Sequence, residues 1–266
     1  QAQGEFVTFL DSDDLWLPRR LESFRSRATA SPEAGFLFSN AYLWRFGRIL
    51  GPLFDPQRPI PEGRVPGHYG VGGRFLPYVT TNVAIRREAF RRWGSFRTEM
   101  KTLDTELFTR FLAQGLPVAV LREPLSVRRI HGAQLTDRAI ENFKESLRAL
   151  ESSGASAAVR AQMRAAVARE VGLYLLKAGQ PLQARDFLTR ELGDSVRGTA
   201  LYRLTFVPTA ALKVGRELRR CWLMAWRHPA WAGVEVREVL RLVAPLLARE
   251  EAAARFDPGV PDGSNI

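Results

Sequence analysis

Cysteine is almost missing from this 266-residue sequence. Cys221 stands alone, which excludes an intrachain disulfide and any metal centre built from several thiolates, and fits a reducing compartment. Lysine is scarce too. Only Lys101, Lys144, Lys177 and Lys213 occur, so arginine supplies nearly all of the 39 basic residues that, against 28 acidic ones, leave a formal charge of +11. Long apolar runs are also lacking: none approaches the roughly 20 residues that span a bilayer, and no signal-peptide pattern opens the chain. A cytoplasmic protein, soluble or peripheral, is the expectation. The basic excess admits an anionic partner or reflects only the coding bias of a GC-rich genome. No nucleic-acid motif is present and the arginines are scattered, so nucleic acid is not expected as that partner. What is present is ample core material, with 45% hydrophobic and 10% aromatic residues.

The most informative stretch is GEFVTFLDSDDLW, residues 4–16, where Asp11, Asp13 and Asp14 follow the apolar run Phe6–Leu10. The run predicts a buried strand. Carboxylates crowded at its end repel one another unless a cation, amide donors or solvent compensates them. An Asp-Ser-Asp-Asp run also makes an ordinary turn, its side chains bonding their own backbone. Pro18 and the residues around 18–29 predict a helix, which puts the acids between the end of a strand and a helix. In open α/β sheets that edge binds ligands, and hard oxygen donors there suit Mg²⁺ or Mn²⁺ carrying a substrate phosphate.

Further along, FLFSNAYLW predicts a strand, and the Pro- and Gly-rich stretch 51–73 a functional loop. LPYVTTNVAIRREAFRRWGSF predicts a strand over Thr80–Ile85 and a short helix stopped by Gly94. TLDTELFTRFLAQG predicts a helix with Leu107, Phe108, Phe111 and Leu112 on its apolar side and Gly115 as its stop. Two short strands are expected at Val118–Leu121 and Leu125–Ile130. Beyond residue 137 the pattern turns almost wholly helical, with two helices meeting at Gly179-Gln180-Pro181, one tetratricopeptide-like unit. The domain division expected is therefore 1–137, a helical extension at 138–255, and a disordered tail at 256–266.

Four blocks, GEFVTFLDSDDLWLPRRLE, TTNVAIRREAFRRWGSF, LDTELFTRFLAQG and VRRIHGAQLT, together resemble the inverting GT-A-type glycosyltransferases of family 2. The resemblance covers about residues 1–137. It implies an α/β fold, a partial GT-A (Rossmann-like) sheet domain followed by an all-helical C-terminal region. It also implies a nucleotide-sugar donor, a saccharide or lipid-linked acceptor, and a role in bacterial surface polysaccharide or glycolipid synthesis. Asp11 and Asp13 match the family's metal-binding motif, with Asp13 the more direct ligand of Mg²⁺ or Mn²⁺ and Asp14 the adjacent acid. Asp104 matches the catalytic base, although Leu103 replaces the acid that usually precedes it; by its position Asp104 equally suits a helix cap. His131 matches a histidine that approaches the metal or diphosphate, or is structural. Arg128 and Arg129 either meet phosphate or are solvated, and Asn82 and Glu106 either line the acceptor side or satisfy local backbone groups.

Complete family members begin with further βαβ units that grip the nucleotide. Here Gln1-Ala2-Gln3-Gly4 runs straight into a strand, so the sequence reads as the metal-and-acceptor half, with a missing N-terminal portion and an exposed edge of a parallel sheet. A non-catalytic remnant or adaptor is the competing expectation. Finally, TAALKVGRELRRCWLMAWRHPAW sets Lys213, Arg216, Arg220 and Arg227 near one side of a helix and Leu218, Trp222 and Trp226 along another. That pattern suits either a helix in an anionic membrane interface, at the inner face of the cytoplasmic membrane, or a helix packed into the extension.

Overall fold

The computed structural model describes residues 2–45, 48–65, 76–100, 103–130 and 139–215, together with Leu218. Its centre is β3 (Phe36–Arg45), the strand expected from FLFSNAYLW. Phe36 and Phe38 point to one face and Leu37 to the other, and all three are sealed from solvent. Strand β6 (Val118–Arg129) lies parallel to β3 along one edge. The other edge is shared: β5 (Val83–Arg86) pairs with the start of β3, and β4 (Arg48–Pro52) with its end, both antiparallel. Strand β1 (Phe6–Thr8) continues the sheet beyond β5, and the two-residue β2 (Leu15–Trp16) pairs with β6. The order is β1-β5-β3-β6-β2 with β4 on β3.

Three expectations are corrected. Among the described residues only the β3–β6 pairing is parallel, so the sheet is mixed and largely antiparallel. The run Phe6–Leu10 is not a buried strand: β1 ends at Thr8 and lies half-buried at the sheet's edge. The two short strands expected around Pro124 are one. Pro124 lacks an N–H and Arg122 and Glu123 face solvent, yet a register shift between Ser39 and Tyr42 absorbs the irregularity. Asn40 pins that bulge, its amide donating to Phe54 O at 2.8 Å and Arg122 O at 3.3 Å while its oxygen accepts from Ala41 N and Phe54 N.

Helices cover both faces. Helix α1 (Arg20–Ala30) packs Phe24 against Leu37, Ala84, Ala119 and Leu121. On the opposite face α2 (Arg87–Trp93) and α3 (Leu103–Ala113) close over Phe36, Phe38, Val83 and Ile85. Leu107, Phe108, Phe111 and Leu112 are buried there as their spacing predicts, and the chain leaves α3 through Gly115 at φ 78°, a conformation that favours glycine. Past residue 139 every described regular element is helical: α4 (Ala139–Glu151), α5 (Ala157–Lys177), α6 (Pro181–Leu192), a 3₁₀ turn at Gly193–Val196 and α7 (Ala200–Leu204). Helices α5 and α6 form the expected hairpin, with Pro181 at the start of α6 and Gly172 against Leu188. Ala113 of α3 shares a small core with Leu150, Met163 and Ala166, which seats the helices on the sheet unit. The boundary expected at residue 137, His131, most of the stretch 209–231 and the tail lie outside the described residues.

Candidate active site

The acids of DSDD occupy the turn that leaves β1. Asp14 N donates to Asp11 O at 3.1 Å and closes the turn on itself. Asp14 is 7% exposed, and its Oδ1 accepts from Arg129 N at 2.8 Å, while Arg129 Nε donates to Asp13 O at 3.2 Å. Arg129 therefore spends its backbone and part of its guanidinium bracing the turn. Asp11 and Asp13 remain more open to solvent.

A 3₁₀ turn at Thr80–Asn82, where a strand was expected to begin, approaches this acidic turn from the sheet. Thr81 is sealed from solvent; its hydroxyl accepts from Asp11 N at 3.3 Å, and its carbonyl accepts from Trp16 Nε1 at 3.2 Å. Its neighbour Thr80 donates through Oγ1 to Asp104 Oδ2 at 2.8 Å. Asp104 stands in the first turn of α3, and its Oδ1 accepts from Thr105 N at 2.8 Å. Two elements remote in sequence thus deliver Asp11, Asp13 and Asp104 to one region.

The electrostatics register that closeness. Burial pushes the Asp11 carboxyl above its ordinary pKa, and the charges of Asp13 and then Asp104 push it further, while a hydrogen bond from Thr81 and the charge of Arg128 pull it back. Asp14 is raised as well, first by burial, with Thr81 and the Arg129 amide opposing. Among the described residues no three of His, Cys, Asp and Glu converge closely enough to enclose a metal ion. The donor set fits a hard cation held by one or two carboxylates that completes its shell with ligand oxygens, as Mg²⁺ does in phosphate sites. It does not make a closed, protein-only centre.

Other expected residues are placed elsewhere. Asn82 has no exposed surface: its amide nitrogen donates to Ser39 O, and its oxygen accepts from Val79 N at 2.8 Å. Glu106 is equally sealed, paired with Arg110 at 2.7 Å and approached by Arg97 at 3.5 Å. In this structure neither is presented to a ligand. Arg128 stands near Asp11, and its partner in the sequence, Arg129, is the turn brace described above.

Thr80, Thr81 and Trp16 were not singled out by the sequence, because a hydroxyl or an indole carries no signal of its tertiary partner. Arg20 was missed for the same reason. It is 1% exposed, stacked between Trp16 and Phe24 at 4.7 and 4.4 Å, and donates to Thr8 Oγ1 at 2.9 Å. Burial lowers its guanidinium to about 10. It floors a cleft of about 560 Å³ between α1 and the edge of β1, which contains none of Asp11, Asp13 or Asp104.

No known protein family matches the chain, and no curated protein sequence matches it. Solved structures are similar in part, among them the following two. One is the mannosyltransferase PcManGT from Pyrobaculum calidifontis in complex with GDP-Man and Mn²⁺, at 16% identity and a TM-score of 0.42, covering 92% of this chain and 63% of that one. The other is TarS of S. aureus in complex with UDP, at 13% identity and a TM-score of 0.40, covering 74% of this chain and 68% of that one. The chain thus spans less than two thirds of the mannosyltransferase's length.

Proposed function

We propose that the protein is a glycosyltransferase that moves a sugar from a nucleoside-diphosphate donor to a hydroxyl acceptor with inversion. The observation that carries this reading is the convergence of Asp11 and Asp13, after β1, with Asp104, at the start of α3, closely enough that Asp104 perturbs the Asp11 carboxyl. Carboxylates with two tasks, one set facing a charged leaving group and one accepting a proton, are what such a transfer requires.

In the proposed step the acceptor oxygen attacks the anomeric carbon from the face opposite the leaving group. The new C–O bond forms as the bond to the diphosphate breaks; the nucleoside diphosphate departs with the electron pair, and the acceptor proton passes to Asp104. Each carboxylate oxygen of Asp104 accepts one hydrogen bond here and keeps a lone pair for that proton. Asp11 and Asp13 are the residues that would hold Mg²⁺ or Mn²⁺, with His131 proposed as a further ligand, and the bound ion would offset charge on the leaving diphosphate. Arg128, beside Asp11, is the cation proposed to meet donor phosphate, while Asp14 and Arg129 hold the turn in shape. We assign the acceptor to the saccharides and lipid-linked saccharides of bacterial surface polysaccharide or glycolipid synthesis, at the cytoplasmic face of the membrane.

Two variants test the reading. Asp104→Asn keeps the shape and an acceptor for the Thr105 amide but removes basicity, so kcat should fall by about 10² or more. Asp13→Ala should abolish transfer and cation binding by calorimetry while leaving circular dichroism unchanged. Turnover of either variant within a few-fold of the parent, or a product with retained anomeric configuration by NMR, overturns it.

A further inference from the structure

The Thr80-Thr81 dipeptide makes contact in two directions. Thr81 Oγ1 accepts from the backbone of Asp11, its one hydroxyl proton lies within reach of the Asp11 and Asp14 carboxyls and lowers the pKa of both, and its carbonyl receives Trp16, so one residue braces the acidic turn after β1. Thr80 reaches the opposite way and donates to Asp104 Oδ2. The dipeptide itself is anchored: Asn82 N donates to Val79 O at 3.0 Å, Asn82 Oδ1 accepts from Val79 N, and Asn82 binds Ser39 O on the central strand. Next along, Val83 O accepts from Thr8 Oγ1 at 2.7 Å and from Arg20 at 3.3 Å, which ties the same segment to β1.

We propose that Thr80 is a positioning residue for Asp104, and that with Thr81 it forms a rigid bridge locking the proton-accepting carboxylate in register with the acidic turn. This rests on the reading of Asp104 as the base. The physical case is a count of constraints. Near the N-terminus of a helix an aspartate readily turns its carboxylate inward to amides of its own first turn, as Asp104 does through Oδ1 and Thr105 N. A contact confined to its own helix does not fix the carboxylate relative to the rest of the site. The hydroxyl of Thr80 supplies the second, external point, and because Thr80 and Thr81 are adjacent, a single peptide unit links the contact to Asp104 with the contact to Asp11, in addition to the packing of α3 on the sheet. Catalytic groups held within a fraction of an ångström are what convert proximity into rate, and small misplacements are costly. A role in binding alone is not expected, since Thr80 touches Asp104 and not the turn that faces the donor.

The test compares Thr80→Val, which keeps the shape and removes the hydroxyl, with Thr80→Ser, which keeps the hydroxyl. Thr80→Val should lower kcat about tenfold, the lower range of what a hydrogen bond to a charged group supplies, while KM for the donor stays within about twofold. Thr80→Ser should recover most of the loss. In an Asp104→Asn background the Thr80→Val substitution should have little further effect, because the two act through one contact. Crystal structures of the parent and Thr80→Val proteins give a readout that needs no activity: the Asp104 carboxylate should hold its place in the parent and rotate away in the variant. An unmoved carboxylate, an equal loss in KM and kcat, or a full additional effect in the Asp104→Asn background overturns the proposal. If Asp104→Asn itself turns over normally, the base assignment falls, while the crystallographic comparison still decides whether Thr80 orients Asp104.

Discussion

At the scale of single residues, the site stores electrostatic cost, and that cost is measurable. Asp14 is nearly buried and its carboxyl is raised chiefly by that burial, so the native state takes up a proton at a higher pH than the unfolded chain. The sign follows from linkage: where the native state binds more protons, stability rises as pH falls, from above the native pKa down to the ordinary carboxylate value. Asp14→Asn keeps an acceptor for the Arg129 amide and removes the charge. It should melt at a higher temperature than the parent at neutral pH, with the difference closing as pH falls through the native pKa; a difference that widens on acidification contradicts this. Mn²⁺ should raise the melting temperature of the parent by mass action and leave that of Asp13→Ala unchanged in differential scanning fluorimetry. Asp11 and Asp13 drew notice because carboxylates crowded at the end of a strand demand an explanation, and Asp104 through the resemblance of its block; that the fold brings them together was not readable from any one of them. For Asn82 and Glu106 two readings stood open, and nothing local to them selects the one in which their polar atoms are consumed inside the fold.

At the scale of elements, two contacts fasten helices to one another, one beside the site and one in the helical part. Glu106 and Arg110 form a pair almost without solvent, and Arg110 also donates to the carbonyls of Trp93, Gly94 and Ser95, fastening the end of α2 to α3. Removing one partner strands a buried charge, so Glu106→Gln should cost about 3 kcal/mol in urea denaturation. In the helical part, a Cβ on Gly172 would lie 2.6 Å from Leu188 Cδ2 and 2.7 Å from its Cγ, inside a closed core. Gly172→Ala should therefore destabilise by about 1–3 kcal/mol through overpacking, despite alanine's better helix propensity. Helix α3 and the α5–α6 hairpin were readable from apolar spacing and from Gly115 and Pro181. Strand β6 was not readable as one element, since Arg122, Glu123 and Pro124 look like an interruption until Asn40 is seen to hold the bulge from the neighbouring strand. Strand β2, two residues long, has no period to read.

At the scale of the whole molecule, the mixture of strand-like and helix-like segments before residue 137 was readable, but strand direction was not. Side-chain alternation is the same in parallel and antiparallel pairing, so a largely antiparallel sheet could pass for a parallel one. On the surface, Leu182, Leu204, Phe206, Val214 and Leu218 are exposed on the helical part, where Arg203 and Lys213 are exposed too and no acid lies between residues 200 and 215. Exposed apolar and basic side chains in an acid-free segment match the proposed approach to an anionic bilayer. The protein should co-sediment with anionic vesicles and not with neutral ones, added salt should release it, and Phe206→Ala with Lys213→Ala should weaken binding in a folded variant. Equal sedimentation with both vesicle types speaks for a water-facing surface.

The parallel pairing of β3 with β6 also bears on how the chain acquires its shape. The strand at the centre of the sheet, Phe36–Arg45, finds its parallel partner only at Val118–Arg129, and β5, its antiparallel neighbour, only at Val83–Arg86. A nascent chain emerging from the ribosome must carry Phe36, Leu37 and Phe38 without their final cover until α3 and β6 have been synthesised. Pairings of such long sequence separation form slowly, because a large loop must close before any contact rewards it. The sheet is thus predicted to assemble late and in one cooperative step, with the local α5–α6 hairpin forming faster on its own, and the interval before β6 arrives is when this protein depends most on chaperones.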